Sequence, residues 1–121
     1  RVSIDTSHPI GYGMPSEADA MLVGNGGYRI SRARRGVDVR TIAQYPNEPL
    51  LRSGLLVGEE HIRGTSAIME APSGKGRIIL HTFRVQHRGQ TWGTFKLLFN
   101  SIFYGPAISR QSPVQTSLDA Q

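Results

Sequence analysis

The chain has 121 residues, 38% of them hydrophobic, with fourteen Gly, seven Pro and no Cys. That length suits one domain or part of one, and the missing thiols exclude disulfides, thiolate zinc sites and a cysteine nucleophile. The formal net charge is +5, carried by twelve Arg and two Lys against nine acids, and no apolar run reaches the roughly 18 residues of a membrane span.

Residues 2–5 alternate as a short strand. His8-Pro9-Ile10-Gly11-Tyr12-Gly13-Met14-Pro15 reads as a structured loop with one helical turn at Pro9. Ser16, followed by Glu17 and Asp19, fits the cap of a short helical turn. Residues 20–23 suit a strand closed by Gly24-Asn25-Gly26-Gly27, and residues 28–31 a second short one. Arg29, Arg32, Arg34, Arg35 and Arg40 fall within twelve residues. Such a cluster suits a nucleic-acid patch. Without interleaved aromatics or a recognition-helix pattern, a solvated loop is the better reading. No nucleic-acid partner is expected.

Residues 37–45 alternate as a strand with one wet face, broken by Pro46-Asn47-Glu48-Pro49. Residues 50–64 stay ambiguous. Five leucines and isoleucines supply apolar contacts, and Gly54, Gly58 and Gly64 oppose a long helix. Residues 65–71 form a strand, Pro72-Ser73-Gly74-Lys75-Gly76 a turn, and residues 77–83 the second arm of a hairpin. Both faces of that second arm are mostly apolar, which predicts a central strand covered on both sides. Gln90 or Thr91 can cap a helix over residues 92–104, where Trp92, Phe95, Leu98, Phe99, Ile102 and Phe103 recur at helical spacing. Gly105-Pro106 stops it. Residues 106–121 are polar and read as a disordered tail or linker, leaving 1–105 as the domain.

Recognisable catalytic patterns are absent. His8, His61, His81 and His87 start no His-x-x-Glu pair, and Glu59-Glu60-His61 reads as a solvated acidic turn. Gly64-Thr65-Ser66-Ala67-Ile68 is not a nucleophile elbow. Gly24-Asn25-Gly26-Gly27 lacks the ending of a phosphate loop. His81 reads as a packed core histidine. The polar loop of residues 84–90 is the candidate ligand site. It lies between a strand end and a helix N-terminus, where anions are favoured. Arg84, His87, Arg88 and Gln90 are its candidate binding residues; alternatively Arg88 and Gln90 tie the loop to backbone carbonyls.

Gly74-Lys75-Gly76-Arg77-Ile78-Ile79-Leu80, Phe83-Arg84, Gln86, Arg88-Gly89-Gln90-Thr91, Gly93-Thr94-Phe95 and Leu97-Leu98-Phe99-Asn100 resemble the closing segment of class I glutamine amidotransferase-like domains. More narrowly, the chain resembles the version found at the C-terminus of bacterial zinc carboxypeptidases of the carboxypeptidase A-like family. His8-Pro9-Ile10 with Tyr12-Gly13, Tyr45-Pro46, and Leu51 with Ser53-Gly54 are similar to the same domain in order and spacing, so the likeness spans about residues 5–105.

The resemblance implies an α/β fold, with a flavodoxin-like mixed sheet flanked by helices and truncated at the N-terminus. It implies a non-catalytic accessory domain of a secreted or periplasmic metallocarboxypeptidase, a zinc hydrolase. The zinc would sit only in a separate upstream peptidase domain, which would be this segment's partner. Arg1 is not an initiator Met, in keeping with a fragment of a longer polypeptide. The alternatives are a stand-alone binding module for an anionic or saccharide ligand, and a homo-oligomerisation domain.

Overall fold

The computed structural model describes residues 1–24 and 38–107. The expected strand at 28–31, the arginine-rich loop before residue 37 and the tail from residue 108 lie outside them.

Among the described residues five strands form one sheet: β1 (Val2–Ile4), β2 (Glu17–Ala18), β3 (Arg40–Gln44), β4 (Ser66–Ser73) and β5 (Gly76–His81). Their order is β2-β1-β3-β4-β5, and every pairing is antiparallel. With helices α1 (Glu59–Ile62) and α2 (Phe95–Tyr104) the architecture is mixed α and β. The sheet thus lacks, among the described residues, the parallel pairings that a mixed sheet requires.

The hairpin of β4 and β5 runs through six residue pairs, from Ser73↔Gly76 to Ile68↔His81. Gly74 takes φ 57°, which a residue without Cβ reaches at no steric cost. Between β3 and β4 the register shifts at Ala43, so the ladder is locally irregular.

One expectation is corrected here. β5 is the outermost strand of the described sheet, not a central one. Arg77, Ile79 and His81 turn toward α2 and are half-buried, whereas Ile78 and Leu80 are 51% and 41% exposed. An apolar run on both faces signals apolar contact on both faces, but it does not say that a second layer is present to make it.

Two further expectations fail in the first quarter. Glu17 pairs within β2 rather than entering a helix capped by Ser16, because Ser16 gives its carbonyl to the Ile4 N–H at 2.8 Å. Residues 20–23 form no strand.

The loop after β1 is set by short-range polar contacts. Asp5 Oδ1 accepts from the backbone N–H of Ser7 at 3.0 Å and from its hydroxyl, and Oδ2 takes Arg40 Nη2 at 3.0 Å. These bonds, the Ser7 hydroxyl first, hold the Asp5 carboxyl down to about 2. The 3-10 turn Pro9–Gly11 follows, with Pro in its first position.

His8, 1% exposed, joins this turn to the sheet. Its Nδ1 accepts from the Ile10 N–H at 3.2 Å, so Nε2 carries the proton and donates to Glu70 Oε1 at 3.1 Å. Around it lies the core: Val2, Ile10, Ile42, Ile68 and Leu97 are fully enclosed, each contributing about 1.5–3 kcal/mol of apolar burial.

α2 buries Leu97 and Ser101, and it meets the turn through Asn100, whose Nδ2 donates to the carbonyls of Ile10 at 2.9 Å and Tyr12 at 3.0 Å. The helix begins three residues later than its apolar spacing suggests, since Trp92–Thr94 are wound as a 3-10 turn. It ends before Gly105-Pro106, as expected.

Gly11 sits against the sheet so closely that a Cβ there would lie 2.2 Å from the Asp5 carbonyl oxygen. Gly11→Ala is therefore expected to displace the turn and lower stability by about 2–3 kcal/mol, read as a drop in the thermal midpoint. An unchanged midpoint would show that the Asp5 carbonyl yields to the added methyl group without cost.

Candidate functional site

The segment between β5 and α2 folds back on itself through hydroxyl groups. Thr82 Oγ1 donates to the Ala67 carbonyl at 3.0 Å and so accepts from Tyr45 Oη at 2.9 Å. Burial raises the Tyr45 hydroxyl above its usual range. Phe83 and Val85 are buried while Arg84 turns out, its N–H donating to the Met21 carbonyl at 3.2 Å.

The Val85 carbonyl accepts two hydroxyls, Thr91 Oγ1 and Thr94 Oγ1, each at 2.8 Å. Thr91 thus spends its side chain on the preceding loop instead of capping a helix, and α2 starts with no side-chain cap. Between these anchors His87–Gly89 form a 3-10 turn in which Arg88 takes φ 48° and Gly89 φ 70°. The left-handed Arg88 costs about 1–2 kcal/mol, which the flanking threonine and tryptophan bonds must outweigh.

The four candidate ligand residues of this loop do not converge. Arg84 and Arg88 are exposed, His87 is half-buried, and Gln90 alone reaches a cleft. None of the four side chains makes a hydrogen bond or ion pair with another described residue. The loop is held by Thr91, Thr94 and Trp92, not by Arg88 and Gln90.

That cleft, of about 600 Å³, lies between residues 90–94, residues 18–22 and residues 50–56. Tyr45, Leu50 and Thr94, all buried, close its floor; Leu22, Leu56 and Ile62 are half-buried along its sides. At its mouth Trp92 is 79% exposed, and its Nε1 donates to the Gly89 carbonyl at 2.6 Å. One hydrogen bond therefore fixes the orientation of an otherwise bare indole.

The wall of residues 50–56 is positioned by Glu59 on α1. Its Oε1 accepts the Leu50 N–H at 2.8 Å and Arg63 Nε and Nη2 at 3.0 and 2.6 Å. Those bonds, the Leu50 N–H first, hold its carboxyl below the usual range. Glu59 is thus a structural anchor, not the solvated turn that its sequence neighbours suggest.

The charges lining the cleft are paired. Arg1 contacts Glu17 and Glu48, and Arg52 Nε lies 3.4 Å from Asp19. Pairing leaves little net field to draw an ion, so the cleft offers an aromatic plate, an apolar floor, and amide and hydroxyl groups.

The histidines serve elsewhere. His8 is committed to Ile10 and Glu70. His81 lies at the end of β5 within reach of Ser101 Oγ, 3.2 Å away, and burial lowers its pKa. No group of three or more His, Cys, Asp or Glu among the described residues could hold a metal ion. No helix among them is long and apolar enough to cross a membrane. Neither a protein-family model, nor a curated protein, nor a solved structure matches this chain.

Of the loop that sequence spacing singles out, Gln90 lines the cleft, and Arg84, His87 and Arg88 do not. A lone exposed Trp directly after Gly89-Gln90-Thr91 was the available signal, but helical spacing assigned it to a core face. Thr94→Val is expected to strip one of the two donors from the Val85 carbonyl and lower stability by about 1–2 kcal/mol. Thermal melts followed by Trp92 emission, the only tryptophan signal in the chain, measure both the loss and any loosening of the loop.

Proposed function

We propose that this chain is a non-catalytic binding domain whose cleft takes a neutral saccharide. The observation that carries the reading is Trp92, exposed at the mouth of the cleft with its ring orientation fixed through Gly89. Sugar rings offer flat C–H faces that lie against an indole, and their hydroxyls suit the Gln90 amide at the rim. Pairing of Arg1 and Arg52 with Glu17, Glu48 and Asp19 favours a neutral ligand over an anion. An anion would instead call on Arg84, His87 and Arg88, which lie outside the cleft lining.

A second proposal concerns the parent polypeptide. The likeness to the C-terminal amidotransferase-like domain of zinc carboxypeptidases rests on residues 74–100 and on shorter stretches at 8–13, 45–46 and 51–54. The first two of these touch: Asn100 bonds the Ile10 and Tyr12 carbonyls, and Lys96 the Gly13 carbonyl at 3.2 Å. On this reading the domain is an accessory to a secreted or periplasmic zinc peptidase. The flavodoxin-like architecture then belongs to a larger sheet continuing beyond β5.

Two outcomes are expected. Titration with neutral oligosaccharides changes Trp92 emission and saturates at a dissociation constant of about 1 mM or tighter. Trp92→Ala abolishes binding measured calorimetrically, and Arg84→Ala with Arg88→Ala leaves it unchanged. A response to phosphate or carboxylates that needs Arg84 and Arg88 would transfer the reading to an anionic ligand. For the parentage, the coding sequence upstream of Arg1 should carry a His-x-x-Glu peptidase domain. In that longer protein the outer-edge amides of β5 should exchange more slowly than in this chain. An upstream sequence without such a domain refutes the parentage alone.

A further inference from the structure

The ten residues of α2 contain three polar side chains, and each is engaged within the fold. Lys96 Nζ donates to the Gly13 carbonyl at 3.2 Å, Asn100 Nδ2 to the Ile10 and Tyr12 carbonyls, and Ser101 Oγ to the Leu97 carbonyl at 2.6 Å. The face turned away from the core is left with Phe95, Phe99, Ile102 and Phe103. Phe99, Ile102 and Phe103 are 53%, 59% and 79% exposed. An apolar stripe on a helix is ordinarily covered by a neighbouring element, and this outer stripe is left exposed.

We propose that the outer face of α2 is where a second copy of this chain docks, α2 against α2 about a two-fold axis. Phe95, Phe99 and Phe103 stand at i, i+4 and i+8, one unbroken ridge along the helix. Such a ridge packs beside its own copy across a two-fold, each helix presenting the same surface to the other. The three exposed residues alone would remove on the order of 400 Å² per copy from water. That area supplies the apolar centre of the roughly 800 Å² per partner in a standard interface. The charge-free centre matches the more apolar character of homodimer contacts. Nothing in this surface draws on the cleft, so it stands or falls separately from the saccharide reading.

The test is sedimentation equilibrium of the wild-type chain from about 5 to about 500 µM, a range that brackets weak dimers. A dimer mass that grows with concentration is expected, tightening as salt screens the repulsion between two copies of net charge +5. Phe99→Asp with Phe103→Asp should weaken association at least about tenfold while circular dichroism and saccharide titration stay unchanged. Because the chain has no cysteine, Phe99→Cys, at the middle of the ridge and nearest the two-fold, gives a single reporter thiol, expected to form a covalent dimer under mild oxidation. That variant also keeps the test decisive should the double aspartate variant unfold. A monomer at every concentration, with no covalent dimer, overturns the proposal and leaves the face to a different partner. So does a dimer that survives both aspartates in a folded protein.

Discussion

The imidazole of His8 is the join on which the rest of this structure depends. One nitrogen is fixed by the Ile10 N–H, which leaves the other to donate to Glu70 on β4. The ring edge meets Tyr104 of α2 with centroids 5.0 Å apart, and the Arg77 guanidinium lies 4.0 Å from the other ring's centroid. N-terminal loop, sheet and terminal helix therefore meet at one buried side chain. Arg77 Nη1 approaches the second Glu70 oxygen only to 3.9 Å, a charge contact and not a hydrogen bond. The directional bond to that carboxylate comes from His8, which is why the geometry of the Pro9–Gly11 turn matters so far from its own sequence.

The loop that precedes the helix contains the left-handed Arg88. The threonine hydroxyls on Val85 and the indole on Gly89 hold the loop in that shape. On the saccharide reading, the same bond that steadies the turn also sets the orientation of the indole at the mouth of the cleft. Rigid presentation of a flat ring lowers the entropy lost when a ligand settles on it.

Local chemistry was legible in the sequence, and position in the sheet was not. The hairpin through Gly74, the Pro9 turn, β1 and the end of α2 at Gly105 all follow from glycine, proline and apolar spacing, because each is decided within a few residues. The outer place of β5 depends on what lies beyond it, and neither Ile78 nor Leu80 carries that information. Thr91 and Glu59 illustrate a second limit. Their side chains reach six and nine residues away, to the Val85 carbonyl and the Leu50 N–H, and no pattern in either residue's neighbourhood names those partners. The cleft was missed for the same reason, since its walls come from residues 18–22, 50–56 and 90–94 together.

The span of the His8 join also bears on how the chain finds its shape. His8 and Glu70 are 62 residues apart, and Asn100 and Ile10 are 90 apart, whereas β4, β5 and α2 lie consecutively. Loop-closure entropy makes the distant contacts the late ones. The hairpin and terminal helix can nucleate among near neighbours, and the first twenty residues then thread into place as the closing step. A nascent chain would hold His8 without its partners until Glu70 and Tyr104 had both emerged.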